Sequence, residues 1–279
     1  MVAQDSVPTR TDGDPAGVPA AVVAQMTDVV RAAAATWGPL ASVGIGVPGL
    51  YDPLAGSVRF LVNLPGPWAG HPVAAPISAA TGLPVALIND ARAFGLAELR
   101  LGAGRGAASM VGMTLGTGVG GVIAVDGRVH QGHDGTAGEI GHQVIDPDGP
   151  PCGCGSNGCL EAYARADRIA AACGTADVPE AVAAAQAGGA RAIAGLAEIG
   201  RYLAVGIANM ITVIAPDVVV IGGGVAQAGA PLFDPLMAEL RRRVRMTSLD
   251  DVRIELAELG TWAGSIGAAV HGAERAGLA

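Results

Sequence analysis

Residues 138–161 read GEIGHQVIDPDGPPCGCGSNGCLE and hold His142, Cys152, Cys154 and Cys159. Three of the chain's four cysteines and one of its five histidines fall in this stretch. Thiolate and imidazole are the ligands zinc prefers, and a closed tetrahedral site takes four of them. The glycines among the cysteines, with Pro150-Pro151, supply the tight backbone that can wrap three sulfurs round one ion. The competing reading is three buried free thiols that behave as small apolar side chains. Cysteines set between glycines have no core face to pack on, which favours the metal.

Two carboxylates flank the four ligands, Glu139 and Glu161. A structural ion would hold both in place, and fixed carboxylates suit a polyhydroxylated ligand because each accepts hydrogen bonds from hydroxyls. Spacing alone serves equally well for helix-end charges on a solvated face. Two stretches match G-x-G-x-x-G: Gly44, Gly46, Gly49 and Gly116, Gly118, Gly121. Dinucleotide binding needs a helix directly after the glycines. The first stretch runs into LYDPLAG, read as loop, and the second into an extended run, so a nicotinamide cofactor is excluded. Thr114, Gly116, Thr117 and Gly118 can still offer hydroxyls and open backbone N–H groups to phosphate. A plain hairpin with glycine bulges is the alternative. Asn89-Asp90 closes an apolar run, where a carboxylate can take a proton from an attacking hydroxyl. The same pair would also cap a following helix.

These residues need a scaffold. Residues 1–19 show no periodicity and read as loop. Over 18–37 the apolar positions Val22, Val23, Met26, Val29, Val30 and Ala33 share one helical face, ended by Gly38-Pro39. Apolar runs predict strands over 41–47, 58–62 and 84–88, with helices over 72–80 and 91–101. Strands follow over 108–115 and 122–125, the latter turned by Asp126-Gly127 into a hairpin. After the cysteine segment come helices over 160–172, 178–186 and 190–214, a strand over 217–221, a helix over 231–244, a strand over 252–256 and a helix over 263–276. The alternation predicts an α/β chain with a largely parallel central sheet.

GEIGH followed by CGCGSNGCLE resembles the signature of the ROK family (repressors, open reading frames and sugar kinases). The likeness runs from about Val7 to the C-terminus. It implies the two-lobed actin-like ATPase (ribonuclease H-like) fold of sugar kinases, α/β in class. The small lobe would be residues 1–100, joined by the C-terminal helix 263–279. The large lobe, 101–262, would carry the zinc segment and the nucleotide-side loops. The resemblance implies ATP-dependent phosphorylation of a hexose, glucokinase-like, with Asp90 as general base. Asn89, Glu139, His142 and Glu161 would bind the sugar, with Glu139 and Glu161 across a cleft from Asp90. His142, Cys152, Cys154 and Cys159 would hold a structural Zn²⁺. Thr114, Gly116, Thr117 and Gly118 would form the second phosphate loop, and Gly222, Gly223 and Gly224 the adenosine-side turn, for ATP with Mg²⁺. Pro48-Gly49 and Asn63 match the family's sugar-cleft elements less specifically. Glucose, mannose, fructose and N-acetylated hexosamines all remain open as acceptors, as do ATP and polyphosphate as donors. Family members are commonly dimers or tetramers, so a homo-oligomer is implied.

One departure stands out. ROK kinases begin with a strand and an Asp-x-Gly-Gly-Thr loop that holds metal-bound phosphates, and no such motif occurs here. The resemblance therefore implies a sequence that starts after that hairpin, by a late start codon or by truncation. One of two phosphate clamps and a Mg²⁺ contact would then be lacking. The alternative function is a zinc-stabilised sugar-binding protein with impaired or no kinase activity.

The totals agree with this class. The chain has 279 residues and a formal charge of −8, with 25 acidic against 17 basic residues. That disfavours nucleic acid as a partner, which needs an excess of Lys and Arg. The run RRRVR at 241–245 reads as a solvated helix end. Cysteines with metal-ligand spacing suggest a reducing compartment, with Cys173 left over and buried. No secretory signal is visible, and the longest apolar stretch, 203–213, is too short and broken for a membrane span. A cytoplasmic protein without a membrane partner is expected.

Overall fold

The structure, a computed structural model, describes residues 4–61 and 64–278; Asn63, and Val62 at the end of an expected strand, lie outside the described residues. In chain order its main elements begin with α1 (Val18–Trp37), β1 (Val43–Val47), β2 (Gly49–Asp52), β3 (Ser57–Leu61), α2 (Ala74–Thr81), β4 (Val85–Asn89) and α3 (Asp90–Leu101). Then come β5 (Met110–Leu115), β6 (Val119–Val125), β7 (Arg128–Val129), α4 (Leu160–Ala164), α5 (Ala166–Cys173), α6 (Val178–Gln186) and α7 (Ala190–Ile214). The chain closes with β8 (Val218–Gly222), α8 (Ala230–Arg243), β9 (Arg253–Leu256) and α9 (Ala263–Arg275). It forms two compact units. One comprises residues through Ala97, Gln131–Thr136 and the chain from Trp262 on; the other is Glu98–His130 with Ala137–Thr261.

In the first unit β1 and β4 pair in parallel, Val43 opposite Val85 and Val47 opposite Asn89. Helix α9 lies on both strands. Its approach depends on glycine: a Cβ at Gly44 would overlap the Ala268 carbonyl oxygen, and one at Gly267 would overlap that of Ala93 on α3. The apolar face of α1 buries Val18, Val22 and Val23 in a core with Ile45, Val47 and Ile77. Strands β2 and β3 form an antiparallel hairpin with an irregularity at Leu50/Tyr51. LYDPLAG is thus strand plus turn, not loop. The Asp52 carboxylate accepts from the Leu54 and Ala55 N–H groups, 2.9 Å each, and closes the turn.

The second unit is built on a five-stranded sheet of order β7-β6-β5-β8-β9. Strands β5, β8 and β9 run parallel, while β6 and β7 are antiparallel additions. The Asp126-Gly127 turn has positive φ at both residues, 52° and 68°, as a two-residue hairpin loop requires. Strand β8 is buried at every position, the pattern of a central parallel strand covered on both faces. Leu196, Leu203, Ile207 and Ile211 of α7 are fully buried in the main core. Both Pro15–Trp37 and Ala190–Ile214 are long and apolar enough to cross a membrane by length and composition. The expectation drawn from 203–213 alone understated the second, because polar positions interrupt its apolar run without ending the helix. Its apolar side packs against α8 and α5.

The expected helix over 160–172 breaks at Arg165, which is extended (φ −77°, ψ 160°). There the Ala166 N–H turns to the Thr117 carbonyl, 3.4 Å away.

Candidate active site

The cysteine segment is folded by its own backbone. Cys152 N–H donates to Ser156 O (2.8 Å), Gly158 N–H to Pro150 O (2.8 Å) and Ile145 N–H to Gly158 O (2.9 Å). Gly158 has φ 66°, and a side chain there would overlap the Asp146 carbonyl, so only glycine closes this knuckle. Asp146 also accepts from Tyr163 OH at 2.8 Å, and Tyr163 stacks on Tyr202 of α7, which ties the knuckle to the core.

The knuckle brings His142, Cys152, Cys154 and Cys159 together, with all four ligand atoms within 4.8 Å of one another. His142 Nδ1 lies 3.6 Å from Cys152 Sγ, and Cys154 Sγ lies 3.7 Å from Cys159 Sγ. Tetrahedral bonds of ordinary zinc length would set S···S near ~3.8 Å and S···N near ~3.5 Å. The donor set therefore fits zinc in type, number and spacing. Burial, then the neighbouring Cys154 and Cys152 sulfurs, push the Cys159 thiol up to about 12. The exposed Cys154 is lowered, chiefly by the Ser156 backbone N–H. Three thiolates can share this space only beside a compensating cation. Cys173 stands apart, buried, with its thiol directed at Ala192 O (3.6 Å).

With Nδ1 facing the sulfurs, His142 Nε2 is left 4.0 Å from Glu139 Oε2. Glu139 is exposed and precedes the single 3-10 turn Ile140–His142. Glu161 lies in the first turn of α4, two residues beyond the buried Cys159. Its Oε2 accepts from the Val119 N–H at 2.9 Å. Glu139, His142 and Glu161 thus come from a segment pinned at both ends.

The glycine stretch is shorter as a loop than its sequence suggests. Thr114 lies inside β5, paired with Gly120 and Gly222, Leu115 ends the strand opposite Val119, and the strand after the turn begins at Val119, not Val122. Gly121 stays in that strand because a Cβ there would strike Ile140 and the Gly138 carbonyl. The free turn is Gly116 to Gly118, closed by Gly116 N–H to Gly118 O at 3.0 Å. Gly223, with φ 92°, packs where a side chain would overlap the Leu115 backbone. Leu115, Gly116, Thr117 and Gly224 thereby line one pocket of about 470 Å³, with Ala170, Val178 and Pro179 among its apolar walls.

In the other unit Asn89 is 6% exposed and its side chain is largely committed. Oδ1 accepts from the Ala91 and Arg92 N–H groups (3.0 and 3.1 Å), and Nδ2 donates to Gly49 O at 3.1 Å. Asn89 is the cap of α3, the bland alternative its sequence allowed. Asp90, by contrast, is exposed at the head of α3, with Oδ1 accepting from the Ala91 N–H at 2.8 Å.

Residues 8–273 match the ROK family. The chain belongs to that family. The glucokinase of Thermotoga maritima is a relative 36% identical over 254 residues, covering 84% of this chain and 80% of that enzyme. The ROK hexokinase of Thermus thermophilus superposes with a TM-score of 0.84 at 34% identity, covering 96% of this chain and 89% of that one. A ROK glucokinase of Streptomyces griseus, solved with glucose and AMPPNP, gives 0.76 at 30% identity, over 90% and 88% of the two chains. The fold is that of the ROK sugar kinases, the two-lobed actin-like ATPase class.

Sequence reasoning passed over Val119 and Glu98. The N–H of Val119 and the fully buried Glu98 carboxylate act on residues distant in sequence, so no local pattern marks them.

Proposed function

We propose that this ROK protein is a glucokinase-like hexose kinase that transfers the terminal phosphoryl group of ATP to a sugar hydroxyl. The observation that carries the reading is the pocket shared by the Gly116-Thr117 turn and Gly224. Ala170, Val178 and Pro179 offer apolar surface to a purine face, and the turn offers N–H groups to phosphates. A polyphosphate has no base to fill such walls, which favours ATP as donor. The glucokinase relatives supply the acceptor class.

In this reading Asp90 takes the hydroxyl proton as the sugar oxygen bonds to the γ-phosphorus and the bond to the β,γ-bridging oxygen breaks, releasing ADP. Glu139 and Glu161 accept hydrogen bonds from the other hydroxyls, and His142, with Nδ1 on the zinc side, donates its Nε2–H to one of them. Asn89 adds its remaining Nδ2 hydrogen and otherwise holds Asp90 at the helix start. Thr114 to Gly118 hold phosphate, and Gly222 to Gly224 turn the chain beside the nucleoside. Mg²⁺ bound with ATP would neutralise phosphate charge. Zinc on His142, Cys152, Cys154 and Cys159 would keep the two carboxylates in register, and reduced cysteine ligands of this kind suit a cytoplasmic protein. The two compact units serve as the two lobes.

The test is a coupled assay of the purified chain with glucose, ATP and Mg²⁺. Turnover is expected, and Asp90→Asn should lower kcat by about 10²–10⁴. Background turnover in a protein still stabilised thermally by glucose would favour the sugar-binding alternative.

A further inference from the structure

Gly118 belongs by sequence to the phosphate-side turn, yet its Hα side faces elsewhere. A Cβ built at Gly118 would overlap Oε2 of Glu161 and sit 3.0 Å from its carboxyl carbon. Gly118 is not among the positive-φ glycines, so space and not backbone handedness excludes a side chain. The next residue, Val119, donates its N–H to the same oxygen at 2.9 Å. Gly116, two residues earlier, has nothing within 4 Å of a built Cβ and no positive φ. The two glycines of one short turn therefore face different neighbours.

We propose that Gly118 and the Val119 N–H form the seat of the Glu161 carboxylate, so that this half of the glycine turn is a positioning element for the hexose. Oε2 is occupied by the Val119 N–H, which turns Oε1 toward the ligand. The chain on either side of α4 reinforces the seat: Cys159, a zinc ligand in our reading, anchors one side of Glu161. On the other, Ala166 N–H reaches back to Thr117 O at 3.4 Å. A side chain at position 118 would push the carboxylate off its donor and out of place for the sugar. One at position 116 would project from the opposite end of the turn, where the nucleotide pocket lies.

This inference rests on the hexose-kinase reading and predicts a double dissociation. Glucose and an unreactive ATP analogue would be titrated separately by calorimetry into wild type, Gly118→Ala and Gly116→Ala. Gly118→Ala should weaken glucose on the order of tenfold to a hundredfold, the usual cost of misplacing a binding group by about an ångström, and cost the analogue far less, since the substitution keeps the backbone N–H groups that would face phosphate. Gly116→Ala should do the reverse. In turnover the same split should appear between the KM for glucose and the KM for ATP. Loss of analogue affinity in Gly118→Ala with glucose unmoved would overturn the assignment while leaving the kinase reading intact. Wild type that binds neither ligand would sink the kinase reading instead. Should Gly118→Ala fail to fold, amide exchange in wild type decides: saturating glucose alone should slow exchange of the Val119 N–H, and an unmoved rate would refute the seat.

Discussion

On the proposed reading, removing zinc from the His142–Cys159 knuckle should unseat the hexose side of the site before it unfolds the protein. The ion would close a loop of roughly 18 residues, and by the loop-entropy relation used for cross-links that closure contributes about 3 kcal/mol. For a chain of this size such a loss lowers the melting temperature by about 5 °C. The knuckle is held by backbone bonds and by the Asp146–Tyr163 contact, so its outline should persist without metal. Glu161 should loosen, because its neighbour Cys159 loses its anchor. The assay is differential scanning calorimetry of protein as purified, after chelation and after zinc is restored, with metal counted by atomic absorption. Cys159→Ser should reproduce the chelated state, and Cys173→Ser, remote at Ala192, should leave zinc content unchanged. The KM for glucose should rise on chelation while the KM for ATP holds. Protein purified without chelator that carries no zinc and melts at the same temperature after chelation would refute the reasoning.

Two further perturbations probe other parts of the structure. The Glu98 carboxylate accepts from Ala103 N–H (3.0 Å), Glu258 N–H (3.2 Å) and Leu259 N–H (2.9 Å) while fully buried. Glu98→Ala should cost about 3 kcal/mol or more in urea unfolding, because three backbone donors lose their acceptor; a change below about 1 kcal/mol would show that water replaces it. On α8, the hydrogen bond from Arg242 holds Glu239 down at about 2. A lowered folded value means the stabilisation is present above the ordinary carboxylate range and lost as pH falls toward 2. Arg242 is 67% exposed, so solvent screening limits the loss in Glu239→Gln to at most about 1 kcal/mol at pH 7. Urea melts should show that difference narrowing below about pH 4.5.

Helices α1, α6 and α7 have the bounds their periodicity and flanking glycines predicted, because a helix is closed by contacts three and four residues apart. The four-ligand cluster was legible for a related reason: metal chemistry needs a few residue types near one another, and here they are near in sequence. Strand β2 was missed because GLYD pairs only with the chain of β3, and glycine beside proline looks like loop until that partner is known. The break at Arg165 was missed because the N–H of the following Ala166 turns to the carbonyl of Thr117, 49 positions earlier in the chain.

Residue types and spacing by themselves determined the zinc-type ligand set and the α/β alternation, and the resemblance carried by GEIGH and CGCGSNGCLE pointed to the family. They carry that much because ligand chemistry and helical periodicity act over a few residues. Only the tertiary structure decided what each group does with its hydrogen bonds. Asn89 spends most of its amide capping α3, Glu161 gives one oxygen to Val119, and Gly118 is small because a carboxylate occupies its side. Such roles are set by the partner across the fold, and a partner brought close by packing leaves no mark on the residues adjacent in the chain.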